Sequence, residues 1–226
     1  MITSLNIQEL ADYTSRQLNH FFPDNNTVDL NQYRQPLELA LNRLEHCYQH
    51  CTLKHYNNGE NTFFNHLYSD HYVMYLWYLA NSIWKEKGDK NTCNKLYYLN
   101  KSLNGLDCMY DTALPEIFLL FHSVGTMLGK ASYNDFFIAL HGCTVGSHNG
   151  IYPVFGKGVS LTANSSVIGN CQIGDRVSVG VRTCVFNSDI ENDHTVYLDK
   201  KNGSMNIRAA GANYAQQFFN VNLASL

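Results

Sequence analysis

Three histidines in the middle of the chain, His122, His141 and His148, are the side chains best suited to chemistry. A neutral imidazole titrates near working pH, so it can take a proton from a hydroxyl and pass it to a leaving group. Three imidazoles can instead hold a zinc ion, provided that they converge. What these residues can do therefore depends on the elements that carry them.

The seven cysteines form an odd-numbered set without a CxxC pair. Cys47 and Cys51 are four residues apart, where a helix places both on one face. They could begin a metal site, but buried apolar thiols are the simpler interpretation. Cys143 and Cys171 have no neighbouring base in the sequence, so we expect small packed residues and not nucleophiles.

An apolar residue recurs at every sixth position in the second half of the chain. The series is Phe155, Leu161, Val167, Ile173, Val179 and Val185, with small or branched residues four positions after the first five at Val159, Ser165, Cys171, Val177 and Thr183. Neither a helix nor a strand has a period of six. Such a repeat is typical of a parallel β-helix, in which each hexapeptide forms one side of a triangular coil.

A looser version of the repeat precedes this series. Counting back by sixes from Val145 gives Ala139, Tyr133 and Met127, and an insertion at Ser147–Tyr152 shifts the frame. We expect about four coils over residues 107–195. Residues 196–226 are polar and aperiodic and predict a tail, with a short helix at Tyr214–Phe219.

Residues 1–106 predict an α-helical domain. Asp29 can cap the second helix, and the third is expected over Phe63–Glu86 with Gly88 as its stop. Asp89 can then cap a fourth helix. The predicted fold class is therefore α+β, an N-terminal α-helical domain followed by a β-helix.

The composition excludes two classes of partner. Charged residues make up only 15% of the chain and the net charge is −3, which provides neither a basic face for nucleic acid nor a polybasic membrane signal. The longest apolar run, Tyr72–Trp84, is interrupted by polar residues and too short to span a bilayer. The N-terminus has no export signal, so we expect a soluble, cytoplasmic protein.

Several segments carry a resemblance to a known family: His122–Gly125, Leu128–Gly129, Gly142–Gly146, Val167–Asp175, Leu96–Gly105 and Leu114–Phe118. They resemble serine acetyltransferases and related hexapeptide-repeat O-acetyltransferases, which share the order of helices followed by coils. The resemblance implies a left-handed β-helix acyltransferase domain over 107–195, acetyl-CoA as acyl donor and no metal. It also implies a homotrimer or a dimer of trimers.

The resemblance assigns His122 as the general base, since the family's base stands in a His-x-x-Gly context near the start of the coils. In the family an aspartate about 15 residues upstream orients this base, and Asp107 is 15 residues before His122. A carboxylate bonded to Nδ1–H would fix the tautomer and stabilise the imidazolium. Asp111 and Glu116 are nearer alternatives.

The acceptor side departs from the family pattern. The expected acceptor-binding residues are Asp111, Glu116, His141 and Tyr152. Tyr152 precedes Pro153 where the family has a second histidine, and His141 stands where the family often has glutamine. His148 could reach the site, although a solvated loop residue is the simpler interpretation. These changes weaken L-serine as the acceptor more than they weaken acetyl transfer, and a sugar hydroxyl is an equal alternative.

For coenzyme A, the resemblance implies that Ala163 and Gly180 leave room for the pantetheine arm. Simple corner geometry explains both small residues equally well. Arg182 could meet a phosphate of the coenzyme. The segment Gly180–Thr183 replaces a more glycine-rich motif of the family, and His194–Asp199 replaces its small-residue exit segment.

Two other functions compete with the acetyltransferase. A non-catalytic scaffold would keep the coils after losing coenzyme binding, as the altered last coil suggests. A zinc-dependent β-helix hydratase would need His122, His141 and His148 to converge. Their spacings of 19 and 7 residues do not resemble the ligand set of that family.

Overall fold

The computed structural model describes residues 1–199 and 201–226. They divide into two compact units, the first with Met1–Gln49 and Leu53–Asp111, the second with His50–Thr52 and Thr112–Leu226. The main segment of the second unit begins at Thr112, and the boundary predicted from the sequence was between residues 106 and 107. This segment also includes the described part of the predicted tail.

The first unit is helical. Its elements are β1 Ile2–Thr3, α1 Ile7–Phe21, a 3₁₀ helix Leu30–Tyr33, α2 Arg34–Gln49, β2 Phe63–Phe64, α3 Ser69–Lys87 and α4 Lys90–Asn104. Helix α3 is buried along most of its length and packs against α2 and α4. A helix that is apolar nearly all round belongs at the centre of such a bundle.

The predicted helix ends are largely confirmed. Asp89 caps α4 by accepting from the backbone of Asn91 and Thr92, and Gly88 ends α3 with φ +63°. Asp29 caps the 3₁₀ helix that leads into α2. The predicted start of the third helix at Phe63 is wrong, because Phe63 and Phe64 pair with β1 as a parallel strand.

The second unit is a parallel β-solenoid of about four turns. Its strands are β3 Phe118–Leu120, β4 Met127–Leu128, β5 Phe137–Ala139, β6 Thr144–Gly146, β7 Val154–Phe155, β8 Ser160–Leu161, β9 Ser166–Ile168, β10 Gln172–Ile173, β11 Ser178–Val179, β12 Cys184–Phe186, β13 His194–Leu198 and β14 Met205–Ala209. One face contains β3, β5, β8, β11 and β13, the second β4, β6, β9 and β12, and the third β7 and β10. The predicted fold class is confirmed.

The hexapeptide repeat forms the interior of the solenoid. All six residues of the predicted series, and the small residues that follow them, are buried. Val145 pairs with Val167, which pairs with Val185 on the next coil. Met127 was predicted to point inward, but it is 47% exposed and Leu128 is buried instead. The frame slips because Leu128 pairs with Val145.

The predicted insertion is a β-hairpin that leaves the solenoid after β6. His148 and Ile151 exchange backbone hydrogen bonds of 3.0 and 3.1 Å. Asn149 and Gly150 between them both have positive φ, +52° and +77°. That combination suits a two-residue type I′ turn, for which Asn-Gly is the preferred sequence.

The C-terminal segment packs against the solenoid. Strand β14 pairs antiparallel with β13, and a 3₁₀ helix follows at Tyr214–Phe218, close to the predicted short helix. The Tyr214 backbone N–H donates to Ser178 Oγ at 3.2 Å, and Thr52 N–H donates to the Phe218 carbonyl at 3.0 Å. These contacts make the segment part of the second unit.

Cys47, Cys51, Cys143 and Cys171 are buried and outside any disulfide, which confirms their expected packing role. Burial raises the pKa of the Cys143 and Cys171 thiols, so both stay protonated near neutral pH.

In residues 1–199 and 201–226, no helix has the length and apolar character needed to cross a membrane.

Candidate active site

His122 lies in the turn between β3 and β4, exposed, with φ +51°. The regular corner position on this coil belongs to Gly125, which lies against Gly142 on the next coil. The positive φ of His122 is therefore additional to the repeating corner geometry. A non-glycine residue costs about 1–3 kcal/mol in this region, and such strain is often found at functional sites.

One corner of the solenoid aligns several of the predicted site residues. The backbone N–H of Gly142 donates to the Val124 carbonyl, and that of Asn164 donates to the His141 carbonyl on the next coil. Arg182 N–H continues the series by donating to the Ala163 carbonyl at 3.1 Å. His141 and Arg182 are exposed and Ala163 is half-buried. The structure thus brings His141, Ala163 and Arg182 together along one edge.

Gly180 has a structural reason to lack a side chain. A Cβ atom there would lie 2.8 Å from the Val196 carbonyl oxygen, which already accepts from Gly180 N–H at 2.7 Å. Packing under β13 therefore requires glycine. Gly180 and Val181 also line a groove of ≈540 Å³.

The C-terminal segment forms the other wall of this groove, which the sequence did not predict. Tyr214 and Gln217 line it together with Thr162 and Ser178. The one local signal is Asn213, whose side chain caps the 3₁₀ helix by accepting from Ala215 N–H. Asparagine is common at caps, but a cap does not reveal what its helix packs against.

The hairpin sends two candidate side chains in different directions. A Cβ atom at Gly129 would lie 2.8 Å from Tyr152 Cε1, so the Tyr152 ring covers the end of the His122–Gly129 motif. His148 Nδ1 lies 3.1 Å from Asn187 Nδ2, and its ring centroid is 4.9 Å from that of Phe186. His148 is thus held against the last coil.

The three candidate carboxylates differ in position. Asp107 and Asp111 lie in the first unit and Glu116 in the second. Asp107 accepts hydrogen bonds of 2.7 Å from Tyr97 Oη and from Lys101 Nζ, one on each oxygen. Burial acts to raise the pKa of Asp107, but the bonds from Lys101 and Tyr97 outweigh it and hold the pKa below its usual value.

The residues present suit an acyl donor with an extended arm and phosphate groups. The groove lies beside Val181, the neighbour of Arg182 in the chain, and Arg182 has no ion-pair partner in the described part of the chain. Phosphates bind guanidinium groups through charge-assisted hydrogen bonds. Within the same residues, no three His, Cys, Asp or Glu side chains are arranged to hold a metal ion.

No family model matches the sequence, and no curated protein matches it either. Solved structures do match. A serine acetyltransferase from Brucella abortus strain S19 has 18% identity and a TM-score of 0.67, with 92% of this chain and 85% of that chain covered. The same enzyme in complex with coenzyme A has 16% identity and a TM-score of 0.66, with 93% of this chain and 84% of that chain covered. The serine acetyltransferase from Neisseria gonorrhoeae in complex with serine has 21% identity and a TM-score of 0.64, with 84% of this chain and 82% of that chain covered.

These matches span both units of the chain. At such identities the likeness concerns the fold, and function must be argued from the site. The chain therefore has the fold of the serine acetyltransferases, as the resemblance of its repeats and motifs predicted.

Proposed function

We propose that the chain is an acetyl-CoA-dependent O-acetyltransferase whose acceptor is a hydroxyl of L-serine or of a sugar. The observation that carries this proposal is the strained, exposed His122 in a fold shared with serine acetyltransferases solved with coenzyme A, serine or cysteine. Residues held in costly conformations cluster at functional sites, and the position of His122 outside the regular corners supports a role for it in the reaction.

In the proposed reaction His122 takes the proton of the acceptor hydroxyl as its oxygen attacks the thioester carbonyl. The tetrahedral intermediate then collapses, the C–S bond breaks, and the imidazolium protonates the leaving thiolate. The products are an O-acetyl ester and free coenzyme A. A side-chain base of this kind contributes about 10²–10⁴ in rate. No acyl-enzyme is required, which agrees with the buried, protonated state of Cys143 and Cys171.

A carboxylate that orients His122 is part of the proposal. Asp107, Asp111 and Glu116 are the candidates from the sequence. The two bonds that Asp107 makes with Tyr97 and Lys101 already use both of its oxygens. Each carboxylate oxygen can accept a second hydrogen bond, so Asp107 stays the candidate that the spacing indicates, with Asp111 and Glu116 as the alternatives.

For the donor, we propose that the pantetheine arm lies along the corner of Ala163 and in the groove beside Gly180. Arg182 would bind a phosphate. Support comes from the lack of an ion-pair partner for Arg182 among the described residues. A second support is the run of backbone hydrogen bonds that aligns Ala163 with Arg182.

For the acceptor, we propose that His141 and Tyr152 contact the hydroxylated substrate. A phenol can donate one hydrogen bond and accept others but remains neutral at pH 7. A histidine at the position of Tyr152 could carry a positive charge for a carboxylate. The tyrosine therefore suits a neutral sugar at least as well as L-serine.

We also infer assembly into trimers. The hairpin exposes Ile151 and strand β7 on the third face exposes Val154, which are 51% and 39% accessible. Apolar residues clustered on a surface often mark an interface. Light scattering that gives the mass of a monomer would contradict this inference. A cytoplasmic location stays a prediction from the sequence.

A non-catalytic scaffold is the second candidate. The observation that favours it is Gly180, whose small size is explained by packing under β13 and so provides no evidence for a coenzyme. Calorimetry with coenzyme A at millimolar concentration separates the two functions, because a scaffold that has lost the site would give no binding heat.

The class of reaction is tested by chromatographic detection of free coenzyme A after the protein is mixed with acetyl-CoA. L-Serine and a pool of sugars are supplied separately. Chromatography is preferred to a thiol dye because the chain contains seven cysteines. Acceptor-dependent release supports the transferase. If no coenzyme A is released with any acceptor and no coenzyme binding is detected, the scaffold is favoured.

A further inference from the structure

A separate cavity of ≈710 Å³ lies in the first unit, beside strands β1 and β2. Ile2, Phe63, Phe64 and Tyr68 provide much of its apolar wall. Its size is in the range of pockets that bind small molecules, in which an apolar lining is combined with a few polar groups that orient the ligand.

His71 is the buried polar group of this cavity. The residue is only 2% exposed and forms part of the cavity wall. Its Nδ1 accepts a hydrogen bond of 3.1 Å from the Asn65 backbone N–H, so the neutral ring carries its proton on Nε2. That Nε2 has no hydrogen-bond partner among the described residues. Buried donors without an acceptor are rare in folded proteins.

The surroundings keep His71 neutral and place aromatic rings against it, with no oxygen atom that accepts from Nε2–H among the described residues. Burial, and then the charge of nearby His55, lowers the pKa of His71 to about 3. The rings of Tyr56 and Tyr68 lie edge-to-face with it, at centroid distances of 4.4 and 4.6 Å. His71 is thus a fixed neutral donor that lacks an acceptor.

The mouth of the cavity has a positive character. Lys54 lines it, is exposed, and has no ion pair with any residue that the structure describes. His55 lies beside it with its Nε2 3.2 Å from Tyr68 Oη. No Asp or Glu stands among the described residues that line the cavity. Lys54 would therefore attract an anion, against the charge of nearby Asp70, which after burial is the second cause that raises the pKa of Tyr68 in the cavity wall.

We propose that this cavity binds an amphipathic carboxylate. The apolar body of the ligand would pack against Ile2, Phe63 and Phe64. One carboxylate oxygen would accept the hydrogen bond of His71 Nε2–H after a side-chain rotation that uncovers this buried atom. The ammonium group of Lys54 would pair with the carboxylate. The site consists of residues of the first unit alone and does not rest on the acetyl-transfer proposal.

The test is calorimetric titration of the full chain with 2-naphthoate and with 2-naphthamide, which has the same body and a carbonyl acceptor but no charge. We expect 2-naphthoate to bind at one site per chain with a submillimolar dissociation constant. Lys54→Met should weaken 2-naphthoate about tenfold and leave 2-naphthamide unchanged, because an ammonium group attracts only the anion.

Two variants of His71 isolate the hydrogen bond. His71→Asn keeps an acceptor for the Asn65 N–H but has no donor at the Nε2 position, so both probes should bind about tenfold more weakly. His71→Gln places its amide donor farther out and should recover part of the loss. If circular dichroism shows that the His71 variants are unfolded, Lys54→Met alone tests whether the cavity binds a carboxylate.

Absence of 2-naphthoate binding at 1 mM would overturn the proposal. So would binding in which Lys54→Met affects both probes equally, or in which folded His71→Asn matches the unchanged protein. The measurements are made without acetyl-CoA, so a failure here leaves the acetyltransferase proposal standing.

Discussion

Lys101 Nζ donates a hydrogen bond of 2.7 Å to Asp107 Oδ2, an ion pair made within the helical unit. Tyr97 Oη occupies the other carboxylate oxygen at the same distance. From the sequence, Asp107 was the first candidate for orienting His122, because it lies 15 residues upstream. The spacing gives no sign that residues of α4 already hold this carboxylate.

The first prediction compares the three candidate carboxylates. Neutralising the one that orients His122 should lower kcat for acetyl transfer by about 10²-fold or more, since an amide cannot stabilise the imidazolium. We expect one of Asp107→Asn, Asp111→Asn and Glu116→Gln to show this loss and the other two to lose less than about tenfold. Initial rates at saturating acetyl-CoA measure all three. Losses below tenfold in every variant would contradict an orienting carboxylate among these residues.

The second prediction concerns Arg182. Arg182→Met should raise the KM for acetyl-CoA about tenfold with kcat nearly unchanged, since a phosphate contact remote from the reacting atoms contributes uniform binding. Lys157→Met, which removes an exposed cation near another corner, is the matched control. An equal effect of both variants would point to general electrostatic attraction in place of a specific contact.

The third prediction concerns the packing of Gly180. Gly180→Ala should destabilise the chain by about 1–3 kcal/mol, because its Cβ would lie 2.8 Å from the Val196 carbonyl oxygen and would force the backbone to shift. Gly211→Ala has nothing within 4 Å of the new atom and should leave stability nearly unchanged. Thermal unfolding followed by circular dichroism compares the two, and equal melting temperatures would contradict the packing argument.

The fourth prediction is a pH dependence due to His71. Its folded pKa is lowered to about 3, whereas an unfolded histidine titrates near 6.5. Between these values the unfolded chain binds the additional proton, so the free energy of unfolding rises with pH and falls on acidification. The loss from pH 7 to pH 5 should be about 2 kcal/mol from this residue.

The control for that pH dependence is His71→Asn, which cannot titrate. Between pH 7 and pH 5 its free energy of unfolding should fall by about 2 kcal/mol less than that of the unchanged protein. Urea unfolding at pH 5, 6 and 7 gives both curves. Parallel curves for the two proteins would show that His71 does not lose its charge on folding.

Much of the second unit could be predicted, because an interior position every six residues follows from coil geometry and is visible in the sequence. The prediction was wrong at Met127, where the pairing of Leu128 with Val145 shifts the frame by one residue. The C-terminal segment was unpredictable for the opposite reason. It has no period, and its position depends on single contacts such as that of Tyr214 with Ser178.

The candidate site likewise has features that the sequence predicts and features that it does not. His122 is identifiable because its motif is local, whereas the alignment of His141, Ala163 and Arg182 depends on hydrogen bonds between coils that the sequence analysis did not predict. The positive φ of His122 cannot be predicted, because the regular corner of this coil is at Gly125 and the repeat indicates no second turn at His122. Nor can the packing of Gly180 under β13, which involves residues from the next coil.

The most direct test of the central claim is the turnover of His122→Asn, measured as free coenzyme A released with the acceptor to which the unchanged protein responds. The account predicts that kcat falls by about 10²–10⁴, or roughly 2.7–5.4 kcal/mol of barrier. Coenzyme A binding by calorimetry should stay within about twofold. Turnover equal to that of the unchanged protein would contradict the account, because His122 would then not be the base.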